Sequence, residues 1–217
     1  MTRKNTYRLT PNNSSAVRVI RLTHKNMIAK YQPALLELLT PYAPILHDDF
    51  SDPAGLGAQA LLETVKTSIP YVWLCLPEGE SKTAHRAGVA PALQILAAAY
   101  LSDETPDWRA ELHGVSDQSL KKNPLLAHAI STLNTQVLAF AFEALNIQKL
   151  IAAFDADNPG ALGYCLRNGF TFEARLKAET RRHGQPVDTL RYALFKPEYL
   201  ARVQAKEAAP VELEASI

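Results

Sequence analysis

The second half of the chain shows the clearest alternation between apolar and polar positions. From residue 126 onwards, apolar side chains recur at helical spacing, as one stripe of Leu126, Ile130, Leu133, Val137, Phe140, Ala141 and Leu145. A continuous apolar run at 149–154 follows after a short connection, which is typical of a buried strand reached by a parallel crossover. Asn158 and Pro159 stop that strand. The pattern therefore predicts a long helix, a strand and a short helix over about 160–167.

The first half predicts shorter elements. Its strands are expected at 16–22, 71–76, 93–101 and 108–115, and two more follow the short helix at about 171–178 and 189–195. Thr23 is expected to cap a first helix that Pro33 bends or breaks, and a second helix is expected from Ser51 or Asp52. Residues 77–91 are predicted to form a long hairpin loop, and residues 104–107 a turn. The order predicts a mixed α/β (α+β) fold with a mostly antiparallel sheet of about six to seven strands flanked by helices.

Length, charge and cysteine content narrow the class of protein. The chain has 217 residues, so we expect a flexible arm at 1–14, one domain at 15–200 and a tail at 201–217 that is either a terminal helix or disordered. A net charge of +1 predicts no general attraction to nucleic acid or to an anionic membrane. We expect neither a signal peptide nor a membrane span. Two cysteines make no disulfide framework and indicate a cytoplasmic setting, and six scattered histidines argue against a metal site.

Three parts of the sequence resemble the GCN5-related N-acetyltransferases (GNAT), and most closely their ribosomal-protein N-acetyltransferase branch. They are WRAELHG at 108–114, AFEAL at 141–145 with DNP at 157–159 and GF at 169–170, and VD at 187–188 with YALF at 192–195. The resemblance implies an acetyltransferase fold whose sheet is splayed between strands 4 and 5. It also implies acyl transfer from acetyl-coenzyme A (acetyl-CoA) to a primary amine of a small molecule or a protein, by direct attack in a ternary complex. A homodimer is compatible with it.

The chain departs from the family at the start of the long helix. There the family places a glycine-containing loop, because a helix N-terminus attracts a pyrophosphate and glycine lets the backbone approach it. The flanking motifs put this loop at 121–126 or at 125–130, and neither segment contains glycine. In one interpretation Lys121 and Lys122 supply charge while helix amides, around Ala127, His128 and Ala129, hold the pyrophosphate. In the other, the lysines are solvated, Pro124 is an ordinary first-turn proline, and the chain is a catalytically inactive module that binds a ligand or partner in the cleft.

Glu111 and His113 are the candidate bases for deprotonating an amine. They lie two residues apart on one predicted strand, so their side chains face the same side of the sheet. The structural alternatives are a solvent-facing glutamate and a hydrogen-bonded histidine.

Further candidate site residues follow the predicted strand that ends near residue 155. Asn158 suits a helix start, and the resemblance places it near the pantetheine arm. In the family, a tyrosine on this helix acts as the general acid. Its position falls on Cys165 in this chain, and we interpret Cys165 as a small core residue. Tyr164, one residue earlier, is a candidate general acid or else a packing residue, because one residue turns a helical side chain by about 100°. Residues 181–183 form a basic loop that is either solvated or binds an acidic substrate or the nucleotide.

Overall fold

The computed structural model describes residues 17–42, 56–78, 93–182 and 184–208. Its strands are β1 (Val17–Leu22), β2 (Val72–Pro77), β3 (Ala97–Thr105), β4 (Arg109–Ser116), β5 (Lys149–Asp155), β6 (Thr171–Arg182) and β7 (Gln185–Phe195). Its α-helices are α1 (Lys25–Leu39), α2 (Leu56–Thr67), α3 (Pro124–Ala139), α4 (Pro159–Asn168) and α5 (Lys196–Ala208). A π-helical turn, Phe140–Ala144, continues α3.

The described strands form one seven-stranded sheet in the order β1-β2-β3-β4-β5-β7-β6. Every neighbouring pair is antiparallel except β4 and β5, which are parallel because helix α3 carries the chain back across the sheet between them. This arrangement confirms the predicted fold class, including the parallel crossover. The β2–β3 and β3–β4 pairs join the strands predicted at 71–76, 93–101 and 108–115 into an antiparallel meander.

Helices cover the two faces of the sheet unequally. Helices α1 and α2 pack on one face over β1, β2 and β3, where alternate strand residues such as Leu22, Leu74 and Ala98 are buried. Helices α3, α4 and α5 pack on the other face, over strand residues that include Ala110, Leu150 and Tyr192. The side chains therefore segregate by the two-residue period of the strands.

Several predicted boundaries are wrong. The predicted strand at 93–101 begins only at Ala97 and continues to Thr105, and the last two strands reach each other through a much tighter hairpin than predicted. Thr23 does not cap α1, because its hydroxyl contacts the sulfur of Met27 and His24 occupies the cap position. Pro33 lies inside α1, which continues to Leu39.

The predictions for the ends of the chain and for the second helix can be compared with the structure only in part. The predicted arm at 1–14, most of the loop at 77–91 and the predicted start of the second helix at Ser51 or Asp52 lie outside the described residues. At the other end, α5 runs through to Ala208 and buries Tyr199, so the helical alternative applies to the first part of the predicted tail.

One helical segment among the described residues, Pro124–Ala144, is long and apolar enough to cross a membrane by length and composition alone. Its apolar side chains pack against the sheet, and Ala129, Val137, Ala141 and Phe142 are fully buried there. The segment is therefore the central core helix of this domain.

Candidate functional site

Strands β4 and β5 diverge after a short paired region. They pair only at Arg109, Ala110 and Glu111, which lie opposite Lys149, Leu150 and Ile151. Beyond Glu111, β4 stays paired with β3 as far as Ser116, and β5 stays paired with β7 as far as Asp155. The sheet is therefore splayed between its fourth and fifth strands, as the resemblance implied.

The edge of β4 that faces the splay is free over part of its length. At its far end, the Tyr42 hydroxyl donates to the Ser116 carbonyl at 2.7 Å and accepts from the Ser116 N–H at 3.0 Å. Because backbone groups alternate in direction along a strand, Leu112 and Gly114 direct their N–H and C=O groups to this same edge. No described strand pairs with them there. At this edge the N–H groups can donate hydrogen bonds to an extended, amide-containing ligand, and the C=O groups can accept them from it.

The start of α3 lies just beyond that edge, and its backbone donors are already used. Asn123 caps the helix, and its side-chain oxygen accepts from the Leu125 N–H at 2.9 Å. The Asn123 N–H bonds to the Leu120 carbonyl, the Leu126 N–H bonds to the Asn123 carbonyl, and Pro124 has no N–H. The first turn therefore satisfies its own donors, which a phosphate-binding helix end leaves free.

The side chains predicted to bind the cofactor there have different surroundings. Lys121, Lys122, Ala127 and His128 are exposed, whereas Ala129 is fully buried in the core on the opposite side of the helix. The prediction that Ala129 binds the cofactor is therefore wrong, because the whole residue is buried. Lys121 and Lys122 supply the positive charge of the segment between β4 and α3.

Glu111 and His113 do lie together, on the face of β4 opposite to α3. The Nε2 atom of His113 is 3.7 Å from Oε1 of Glu111 and 2.7 Å from the Ser102 hydroxyl. The imidazole stacks on the Tyr100 ring, with 4.5 Å between the ring centroids. Tyr100 and Ser102 lie opposite His113 and Glu111 in the β3–β4 ladder, so the register assembles this group.

Burial and a neighbouring charge shift the proton affinities of this group. Burial first, and then the negative charge of Asp103, raise the pKa of Glu111, while Arg191 and Arg109 partly oppose the shift. Burial lowers the pKa of His113, against a smaller opposing effect of Asp103, so the imidazole is neutral at pH 7. Burial, followed by Glu111, raises the pKa of Tyr100 to about 12. The site therefore holds a carboxylate of raised basicity beside a neutral imidazole.

Tyr164 does not join this group. It lies on the other side of the sheet, where its hydroxyl donates to Oδ1 of Asn134 on α3. Asn134 in turn donates to Asn168 at 2.7 Å, and Asn168 donates to the Tyr164 carbonyl at 2.9 Å. Burial, with Cys165 as a lesser cause, raises the pKa of Tyr164. This closed network fits the packing interpretation of Tyr164.

Helix α4 begins and ends as the sequence predicts. Asn158 caps it by accepting from the Ala161 N–H at 3.1 Å, directly after the end of β5. At the other end Gly169 adopts a left-handed φ of 81°, and the Phe170 N–H bonds back to the Cys165 carbonyl. Cys165 is a buried free cysteine, in agreement with its interpretation as a core residue.

The predicted basic loop is not a solvated loop. Strand β6 includes both Arg181 and Arg182, and the Arg182 guanidinium is bound by Asp155 and by Asp157 at 2.7 Å. The prediction failed because the partners lie at the end of β5, far away in sequence. His183 lies outside the described residues.

The site also contains residues that sequence reasoning missed: Ser102, Asp103 and Arg191. The alternation along β7 places Arg191 on the same face as Glu111, a signal that becomes readable only when the pairing of β4, β5 and β7 is known. No group of acidic, histidine or cysteine side chains within the described residues could hold a metal ion.

Comparison with known proteins finds no matching family model and no matching curated protein. Solved structures do match, although at low sequence identity. A GCN5-related N-acetyltransferase from Brucella melitensis is 15% identical with a TM-score of 0.59, over 90% of this chain and 83% of that one. A GNAT-family acetyltransferase from Bacillus anthracis is 11% identical with a TM-score of 0.58, over 84% and 96%. The spermidine/spermine N-acetyltransferase of Vibrio cholerae, in mutant forms, is 16% identical with a TM-score of 0.60, over 87% and 99%. The chain thus has the fold of the GNAT acetyltransferases.

Proposed function

We propose that this protein is an acyl-CoA-dependent N-acyltransferase that acylates a primary amine by direct attack in a ternary complex. The observation that carries the proposal is the position of Glu111. It is the last residue of β4 that pairs with β5, so a carboxylate of raised pKa lies where the splay opens. The acceptor is an amine of a small molecule or a protein in the cytoplasm.

Glu111 acts as the general base. An amine must lose a proton to become a nucleophile, and a carboxylate whose pKa is raised toward the working pH accepts that proton more readily. The 2.7 Å contact between the Ser102 hydroxyl and Nε2 of His113 fixes the imidazole ring beside the Glu111 carboxylate. Because His113 is neutral, it places no positive charge beside Glu111 that would lower the basicity of the carboxylate.

An acyl-CoA fits one part of this site better than another. The free edge at Leu112 and Gly114 would hold the amides of its pantetheine arm. The amine would attack the thioester carbonyl, the C–S bond would break, and CoA would leave as a thiolate that takes a proton from solvent. The first turn of α3 would hold the diphosphate poorly, because its amides are bonded internally. Lys121 and Lys122 would bind the diphosphate instead as point charges. We therefore expect weak binding.

Calorimetric titration with acetyl-CoA, supported by thermal shift, tests this assignment. The double substitution of Lys121 and Lys122 by alanine removes two exposed charges, each worth up to about 1 kcal/mol, so affinity should fall about tenfold. Substitution of Lys206 by alanine, on the exposed side of α5, is the control and should leave the affinity unchanged. Absence of both heat and thermal shift at millimolar acetyl-CoA would contradict the assignment.

A second function, a catalytically inactive module that binds a ligand or partner in the splay, is favoured by the same self-capped helix start. Such a module would show no acyl transfer across a broad panel of amines. It would also show no difference in acetyl-CoA binding between the wild type and the double lysine variant. Turnover of any amine with an initial rate proportional to enzyme concentration excludes this function.

A further inference from the structure

A row of residues crosses the sheet from Glu111 to Arg191. Glu111 lies opposite Ile151 of β5, Ile151 lies opposite Ala193 of β7, and Arg191 is two residues further along β7 on the same face. Strands are spaced by about 4.8 Å, so Arg191 is about 10 Å across the sheet and about 7 Å along it from Glu111. A small molecule can span the space between these two side chains.

The floor of this space is open at Ala153, whereas Ile151 and Ala193 are buried. Ala153 lies opposite Arg191 in the ladder and is exposed, although β5 is in the middle of the sheet. Helices α1 and α2 cover β1, β2 and β3 on this face, and within the described residues no helix packs over β5 and β7 there. An exposed alanine in a central strand indicates a surface that a ligand can occupy.

The guanidinium of Arg191 has unused hydrogen-bonding capacity. Its Nε atom is buried without a hydrogen-bond partner, and the whole group makes no hydrogen bond within the described residues. Its nearest anion is Oε2 of Glu173 at 3.8 Å, and the other oxygen of that carboxylate binds Lys149 at 2.5 Å. Two cations thus share one carboxylate, so Glu173 does not balance both positive charges, and the Arg191 side chain is 34% exposed.

The two ends of the row carry opposite charges. Glu111 and Asp103 lie at the end where the amine must react, and Arg191 lies at the other end. We propose, on the basis of the proposed function, that the acceptor is an amino acid or a similar molecule, in which a carboxylate accompanies the amine and is bound by Arg191. The planar fork of an arginine suits a carboxylate, and one surplus charge matches a monoanion better than a phosphate dianion. A polyamine would place a second positive charge beside Arg191, which disfavours it.

The test compares acceptors that differ only in the carboxylate. The full-length protein is assayed with acetyl-CoA and amino acids with one to four carbons between amine and carboxylate, each paired with its carboxamide. The measured quantity is the ratio of kcat/KM for the acid to kcat/KM for the amide. A charge-assisted pair predicts a ratio of about ten to one hundred in the wild type.

Three variants make the test specific. Arg191→Met should bring the ratio close to one, whereas Arg191→Lys keeps the charge, loses the fork and should give an intermediate ratio. Arg18→Met, at an exposed arginine on the opposite edge strand, should leave the ratio unchanged. Because each ratio is taken within one variant, a partly unfolded sample does not alter it.

The outcomes separate this inference from the function on which it rests. If no amine is acylated, the proposed function and this inference both fail. If amines are acylated with a ratio near one that Arg191→Met does not change, or if spermidine is the best acceptor, this inference alone fails. Preference for aminoethyl phosphate over every amino acid would also overturn it, because the bound group would then be a phosphate.

Discussion

The two faces of strands β4 and β5 differ in polarity and in burial. Toward α3, Ala110, Leu112, Leu150 and Ala152 are buried in the main core. On the other face, the alternate positions include Glu111 and His113, which are polar and partly exposed, and Ala153, which is exposed. Adjacent residues of one strand therefore either stabilise the fold or form the candidate site.

This difference has an energetic consequence. Burial of apolar side chains toward α3 stabilises the folded state. Burial raises the pKa of Glu111 on the opposite face, so the charged form of that residue destabilises the folded state. We expect substitutions on the two faces to change stability and activity in opposite ways.

Glu111→Gln should have the largest effect, and its effect should be on activity. Loss of a general base lowers kcat by roughly 10²–10⁴-fold. The substitution should also raise the free energy of unfolding at neutral pH. A carboxyl group whose folded-state pKa is raised stabilises the fold below its unfolded-state pKa, and this contribution is lost as the pH rises through the folded-state pKa. Glutamine carries no charge at any pH and avoids that loss. Steady-state kinetics and thermal melts at several pH values measure both effects.

Glu104→Gln is the matched control for Glu111→Gln. Glu104 is an exposed glutamate on β3, the neighbouring strand, so neither activity nor stability should change appreciably. If Glu111→Gln keeps more than about a tenth of wild-type activity, Glu111 is not the base.

Leu150→Ala should show the reverse behaviour. Leu150 is fully buried, and truncation of such a side chain costs about 2–5 kcal/mol of the free energy of unfolding. Activity per folded molecule should change much less than in Glu111→Gln. Leu166→Ala, at a leucine on α4 that is 60% exposed, is the control and should cost less than about 0.5 kcal/mol. Denaturant unfolding measures both, and equal losses in the two variants would contradict the assignment of the core.

The sequence predicted the fold well because the fold depends on patterns along the chain. The stripe of apolar residues in α3, the apolar run of β5 and the Asn158–Pro159 stop are local signals, and each marks an element of the structure. Boundaries failed where neighbouring strands decide them: β6 and β7 extend far beyond their apolar parts because they pair with each other as far as Arg182 and Gln185.

The site was less predictable because it depends on register between strands. Glu111 and His113 could be identified from one strand, but the Ser102 contact requires the β3–β4 register, and the place of Arg191 requires two further pairings. Tyr164 illustrates the same limit, since its partner Asn134 lies 30 residues away on another helix.

Asp103→Asn should change the pH dependence without removing a reacting group. Asp103 has a left-handed φ of 49°, which asparagine tolerates, and its charge raises the pKa of Glu111. Without that charge the pKa of Glu111 falls, so the acidic limb of the kcat/KM profile should move to lower pH. Asp107→Asn, at another aspartate with positive φ just beyond β3, should leave the limb in place. A shift of equal size in both variants would show that Asp103 has no specific effect on the base.

Tyr164→Phe should have the smallest effect, because its hydroxyl bonds to Asn134 on the core side of the sheet rather than facing Glu111. Loss of one hydrogen bond should lower the free energy of unfolding by about 1 kcal/mol and change kcat by less than about threefold. A general acid would instead lose roughly 10²–10⁴-fold in kcat with the fold intact. Asn134→Leu removes the other partner of the same bond, so the stability losses of the two substitutions should not add in the double variant. Additive stability losses together with a large loss of kcat in Tyr164→Phe alone would move the general acid to α4, and the two faces of the sheet would then share the chemistry.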